Sequence, residues 1–186
     1  MKNDIIWAPW RLAYVAEDAE TKQLREQEGE EAAKLVGADG EPTCFLCQAV
    51  AAERCADPEA FDRRRHVIGR TETTVAVLNR FPYNNGHLLI APKRHVARLD
   101  ELTQAEQLTL MSQIDGWVRR LEATMRPDGF NVGLNLGRAA GAGLPGHLHW
   151  HIVPRWNGDT NFMASLASTK VIPQSLDALW ELMVKR

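Results

Sequence analysis

The stretch HLHWHIVPRW, beginning at His147, sets His147, His149 and His151 against Leu148, Trp150 and Ile152. A strict period of two predicts a half-buried strand with one apolar face and one imidazole face. A strand rises about 3.3 Å per residue, which puts His147 and His151 about 13 Å apart, whereas zinc–nitrogen bonds are about 2 Å long. One metal therefore cannot take all three. At least one imidazole is left for hydrogen bonding, proton transfer or nucleophilic attack.

The segment ahead of the row, GRAAGAGLPG at 137–146, has four glycines in ten residues. Such a loop lets the backbone approach a ligand closely and turn its N–H groups inward, as anion-binding nests do. It matches neither the P-loop nor the dinucleotide fingerprint, and a flexible hairpin connection is the plain alternative. Before it, FNVGLNLG alternates again, with Phe130, Val132, Leu134 and Leu136 on one face and Asn131, Gly133 and Asn135 on the other. The loop thus joins two strands. They could present Asn131 and Asn135 beside the histidines, giving amides, imidazoles and free N–H groups on one face for a phosphoanion.

Cys44 and Cys47 form a C-x-x-C pair in CFLCQAVAAE, which predicts a knuckle-like turn running into a short helix. A thioredoxin-like redox pair would want a preceding buried strand, and the acidic, turn-rich segment before Cys44 does not supply one. Zinc suits the pair better. Two thiolates need two more ligands, and His95, just past LLIAPKR, and His147, at the head of the histidine row, are placed to converge on the knuckle. A site of Cys44, Cys47, His95 and His147 would be closed and therefore structural. His66, within DRRRH, reads as a solvated surface residue, and Cys55 as an unligated thiol.

The rest of the chain reads as scaffold. Val75–Leu78 and His87–Pro92 predict two strands joined by the turn-forming NRFPYNNG. Thr103 and Glu106 match a capping box, and Leu108, Met111, Ile114, Val118, Leu121 and Met125 recur at helical spacing up to RPDG. Leu176, Leu179, Trp180 and Met183 form an apolar stripe on a C-terminal helix. Residues 17–41 hold nine acids and three bases, predicting an exposed helix or a mobile segment and leaving the remaining chain at +4. That mildly basic body suits an anionic ligand but is too weak a charge to argue for nucleic acid. With 186 residues and 45% hydrophobic side chains, the chain suits one soluble domain. The N-terminus lacks a signal-like apolar region, no run reaches membrane-spanning length, and three cysteines do not make a disulfide framework. These features predict a cytoplasmic protein without a membrane partner. The expected division is an N-terminal acidic stretch at 1–41, a main domain with the knuckle at 42–158, and a C-terminal extension with its helix at 159–186.

HLHWHIV matches the histidine triad motif, and with it the chain resembles the HIT superfamily of nucleotide hydrolases and transferases. VAVLNRFPYNNGHLLIAPKRH is similar to that family's nucleotide-binding hairpin, and C-x-x-C resembles its zinc-bearing members. The flanks WAPWR, PRWNGDTNF and TKVIP further resemble a bacterial subgroup related to diadenosine tetraphosphate phosphorylases and hydrolases. The resemblance implies an α+β fold, with an antiparallel sheet, one long helix and a C-terminal helix, in a homodimer. It implies cleavage at the α-phosphate of an adenine nucleotide or dinucleoside polyphosphate through a nucleotidyl-histidine. His149 would be the nucleophile and His151 a hydrogen-bond donor to phosphate. Asn79 would meet the ribose, with Phe81 and His87 near the nucleoside, Asn135 at the α-phosphate, and Gly143 and Leu144 in the phosphate loop. His147 would be a zinc ligand.

Many relatives carry Gln and Ser or Thr where this chain has Gly143 and Leu144, which leaves the backbone to serve the leaving group. A third triad His rather than Gln argues against uridylyl transfer to a sugar. The final acceptor, water or orthophosphate, stays open, with phosphorylase favoured by the subgroup. The alternatives are a nucleoside phosphoramidate hydrolase and a zinc-stabilised nucleotide-binding protein without useful turnover.

Overall fold

Five short apolar or alternating stretches come together as one antiparallel sheet in the computed structural model, which describes residues 19–38, 40–160 and 171–184. The strands are β1 (Val67–Arg70), β2 (Thr74–Leu78), β3 (Leu88–Pro92), β4 (Gly129–Leu134) and β5 (Trp150–Arg155), in the order β1-β2-β3-β5-β4. Among the described residues five α-helices surround them: α1 (Ala19–Leu35), α2 (Phe45–Ala51), α3 (Pro58–Arg65), α4 (Gln104–Met125) and α5 (Leu176–Val184). The α+β architecture expected from the sequence is borne out. WAPWR, along with parts of GDTNF and TKVIP, lies outside the described residues.

The sheet separates two cores. On one face Leu88, Ile90, Trp150 and Ile152 meet Leu110, Ile114 and Leu121 of α4 and Leu179, Trp180 and Met183 of α5. On the other, Val75, Val77, Leu89 and Ala91 meet Leu46, Ala49, Phe61 and Ala32. β2 and β3 are buried at every position, which accounts for runs such as LLIAP that do not alternate. The second core draws no residue from β4 or β5. There the same face of the sheet carries His151, opposite Leu89 on β3, and Gly133, opposite His151 on β4. That gap in the apolar layer is where the polar site sits.

α4 follows its sequence signals. Thr103 caps it, its hydroxyl accepting from the Glu106 N–H at 3.2 Å while its own N–H donates to Glu106 at 2.8 Å. The helix ends at Arg126 in a left-handed conformation, φ 49°. Residues 19–35 form a helix whose Ala32 is fully buried and whose Glu28 pairs with Arg64 of α3. Among the described residues no helix is long and apolar enough to cross a membrane.

Three expectations need correction. His66 is not solvated: it ends α3 in the left-handed region, φ 57°, and its Nε2 lies 3.0 Å from Asp177 of α5, with 18% of the side chain exposed. The histidine row is not one continuous strand. β5 begins at Trp150, because β3 ends at Pro92 and its carbonyl accepts from the His147 ring instead of extending the ladder, while Leu148 N–H turns to the Val96 carbonyl. Asn131 does not join the histidines, since its amide oxygen accepts from Arg155 at 2.8 Å.

Candidate functional site

Cys44 ends the turn before α2, and Cys47 sits one helical turn on, so both thiols point from one helix start. His95 follows the end of β3, and His147 reaches the same place from the far side of the glycine loop. The four ligand atoms lie within 4.8 Å of one another. Cys44 Sγ is 3.3 Å from His147 Nδ1, and Cys47 Sγ is 3.2 Å from His95 Nδ1 and 3.5 Å from His147 Nδ1. The edges of a tetrahedron around zinc, with bonds of about 2.0 and 2.3 Å, are about 3.3 to 3.8 Å. The residues therefore fit the metal in number, donor type and spacing. A hydrogen bond from the Cys44 thiol holds the Cys47 thiol far below the ordinary thiol range, at about 3, and the same bond pushes Cys44 up. His147 Nε2 donates to the Pro92 carbonyl at 2.9 Å, leaving Nδ1 unprotonated and turned to the thiols. Cys55 stands apart as a free thiol.

The carbonyl of the same His147 accepts from His149 Nδ1 at 2.8 Å. A carbonyl can only accept, so the proton of a neutral His149 ring is on Nδ1 and the Nε2 lone pair is free. Burial holds His149 below its ordinary value of 6.5, and the residue is 8% exposed. The imidazole is therefore neutral near pH 7, the form that can act as a nucleophile.

His151 is oriented from the opposite side. The Tyr83 N–H donates to His87 Nδ1 at 3.0 Å, and the Asn79 amide nitrogen lies 3.2 Å from the same atom. His87 must then carry its proton on Nε2, which donates to His151 Nδ1 at 2.8 Å. That leaves His151 with its proton on Nε2, and this buried atom has no partner. Burial and the neighbouring histidines push His87 down to about 3, and burial with His149 pushes His151 down to about 4. The row thus presents one bare lone pair and one unspent donor.

The remaining predicted residues surround this pair unequally. His87 is 1% exposed and sits behind the site, meeting His151 through Nε2 and Asn79 and the Tyr83 N–H through Nδ1. Asn79 closes a turn by accepting from the Phe81 N–H at 2.9 Å, and Phe81 is 72% exposed. Asn135 follows β4 where the register 134↔150 continues toward His149, and its amide has no partner among the described residues. Gly143 is exposed with open space around it, while Leu144 packs on the α2 side of the molecule. An open cavity of about 380 Å³ beside His95 and Arg94 borders the cysteine cluster, away from His149 and His151.

A model of the HIT domain matches residues 61–158. The chain belongs to the HIT domain family. AP-4-A phosphorylase of Mycobacterium tuberculosis is 47% identical over 119 residues, which cover 64% of this chain and 61% of that relative, so the match spans less than two thirds of its length. The asymmetrical bis(5'-nucleosyl)-tetraphosphatase of Schizosaccharomyces pombe is 34% identical over 93 residues, 50% of each chain. A zinc-bound histidine triad family protein from Mycobacterium smegmatis shares the fold at a TM-score of 0.58, over 77% of this chain and 92% of that one, at 23% identity.

Within this HIT domain two participants escape a reading of the sequence. Tyr83 stacks on His151, with ring centroids 5.6 Å apart and planes at 15°, and tilts over His87 at 4.6 Å. Nothing in NRFPYNNG beyond its aromatic content signals that contact. The Pro92 carbonyl, which fixes the His147 ring, carries no side-chain signal at all.

Proposed function

We propose that the protein is a nucleotidyl transferase or hydrolase that cleaves dinucleoside polyphosphates at the α-phosphate, in the manner of a diadenosine tetraphosphate phosphorylase, through a nucleotidyl-His149 intermediate. The observation that carries this reading is the opposed tautomers: His149 Nε2 is a bare lone pair and His151 Nε2 is a buried donor without a partner. Such a pair suits displacement at phosphorus, where the main needs are a positioned nucleophile and donors for the departing oxygen.

In the first displacement His149 Nε2 forms a bond to the α-phosphorus as the bond to the bridging oxygen breaks. The electron pair stays on that oxygen, and the His151 N–H hydrogen-bonds it. The His147 carbonyl, already bonded to His149 Nδ1–H, stabilises the positive charge that the ring gains. In the second displacement an oxygen of water or orthophosphate attacks, its proton passes to solvent, and the P–N bond breaks. Asn79 and Phe81 would hold the nucleoside, with His87 behind them. Asn135 and the backbone at Gly143 and Leu144 would meet the phosphates. Zinc held by Cys44, Cys47, His95 and His147 would supply a rigid, redox-inert closure that fixes the residue orienting His149.

The M. tuberculosis and S. pombe relatives support the substrate class, and the phosphorylase name of the former favours orthophosphate as acceptor. A homodimer belongs to the same reading. It is supported by β4 lying at the sheet edge, with no strand beyond it among the described residues and Val132 46% exposed, and sedimentation velocity would test it. Incubating the protein with diadenosine tetraphosphate, with and without orthophosphate, tests the whole. ATP with ADP, the latter only in the presence of orthophosphate, is the expected outcome; ATP with AMP would make water the acceptor. Nucleotide binding without any ATP release would leave a binding protein without turnover.

A further inference from the structure

On the nucleotide reading, a polyphosphate would meet imidazole rings here and no cationic side chain among them. Burial keeps His87 and His151 in their neutral forms and the His149 Nδ1–H is committed to the His147 carbonyl, while a dinucleoside tetraphosphate would bring several negative charges. Cations must come from the border. Along the strands the order is fixed by register. Asn79 and His87 mark the end near the β2–β3 connection, His151 lies opposite Leu89, and His149 follows toward the glycine loop. A nucleotide with its ribose at Asn79 and its α-phosphate at His149 therefore extends its remaining phosphates over residues 137–146. Other basic residues at the strand ends are already committed: Lys93 to Glu53, Arg94 to Glu106, and Arg155 to Asp159. Arg138 is not. It opens the single 3₁₀ turn of the glycine loop, Arg138–Ala140, is exposed, and has no side-chain partner among the described residues. The turn is set by Gly137 and Gly141, both at positive φ (77° and 86°), conformations that fix where Arg138 leaves the backbone.

Resting on the nucleotide reading, we propose that Arg138 forms a distal-phosphate subsite, gripping phosphates beyond the one attacked and selecting substrates with a long polyphosphate chain. A guanidinium suits this task because its planar fork can bond two phosphate oxygens at once and never loses its charge. Its position on a loop outside the histidine pair means it meets the leaving portion of the substrate and not the reacting phosphorus.

The experiment compares Arg138→Gln and Arg138→Lys with the parent protein, using diadenosine tetraphosphate as substrate and AMP as competitive inhibitor. For Arg138→Gln, KM for the tetraphosphate should rise about ten-fold, with kcat and the AMP inhibition constant each moving less than about two-fold, and the salt dependence of KM should flatten. Arg138→Lys should recover most of the loss, since the charge is kept while the fork is not. An unchanged KM in Arg138→Gln, or an equal weakening of AMP, would overturn the subsite. If the parent protein binds neither AMP nor the tetraphosphate, the nucleotide reading itself fails and the subsite goes with it. AMP binding that survives alongside a lost tetraphosphate preference separates the two ideas.

Discussion

At His149 a single hydrogen bond decides which nitrogen keeps its lone pair free, and on the proposed mechanism this makes the consequences of substitution specific. Asn at this position keeps a polar side chain of similar reach but has no lone pair fit for attack on phosphorus. His149→Asn should hold AMP affinity within about three-fold of the parent while turnover falls by about three orders of magnitude or more. Label from substrate carrying radioactive α-phosphate should be acid-labile, base-stable and mapped to His149; a label on His151 would reverse the assignment. The three neutral histidines also fix a pH dependence. Each folded value lies below the ordinary 6.5, so as pH falls the unfolded chain takes up protons that the folded site refuses. Their contribution to stability is full above about pH 6.5 and declines as pH drops toward about 4, where His151 and then His87 titrate. Urea melts at pH 7 and pH 5 should show the loss, and His87→Gln should make it smaller. A steeper loss in His87→Gln would place the effect elsewhere.

Elements carry these residues to their places, and here sequence legibility divides by the range of the contact. The Thr103–Glu106 capping box and the helical spacing after it are local signals, and α4 begins at Gln104 as they predict. What local spacing could not show is that Glu106 also takes the Arg94 guanidinium, which holds its carboxyl down at about 2. That pair ties the start of α4 to the segment bearing His95. The histidine alternation was legible as an apolar row against a polar one. Its break at Trp150 was not, because the break comes from the Pro92 carbonyl, 55 residues away from the ring that it binds. His66 read as solvent-facing because its neighbours are arginines, and its true partner Asp177 is 111 residues distant on α5. α5 is further fixed by Trp180, whose indole N–H donates to the Val67 carbonyl at 2.8 Å in a buried setting. Trp180→Phe would keep most of the ring but strand that carbonyl, so stability should drop by about 1 to 3 kcal/mol in a denaturant melt. A change within about 0.5 kcal/mol would show that the bond has no net weight.

Over the whole molecule the two centres meet in one residue. His147 offers Nδ1 to the cysteines, Nε2–H to Pro92 and its backbone carbonyl to His149, so the Cys/His cluster and the proposed nucleophile share a support. The cysteines come from the helical layer on one side, His95 from the end of β3, and His147 from the far end of the glycine loop. Closing them around zinc would therefore pin that layer to the sheet. Metal analysis should give about one zinc per chain, and Cys44→Ser should lower both zinc content and melting temperature, since a closed site couples binding to folding. The shared support adds a prediction that a purely structural metal would not make. With His147 loosened, its carbonyl no longer holds His149 Nδ1–H in place, and the Nε2 lone pair loses its aim. Cys44→Ser assayed well below its own melting temperature should then lose kcat by about ten-fold or more while AMP affinity, which rests on the hairpin and the loop, changes little. Equal losses in kcat and AMP binding would point to general loosening of the fold. Full activity without zinc would separate the two centres, leaving the His147 backbone held by Pro92 alone.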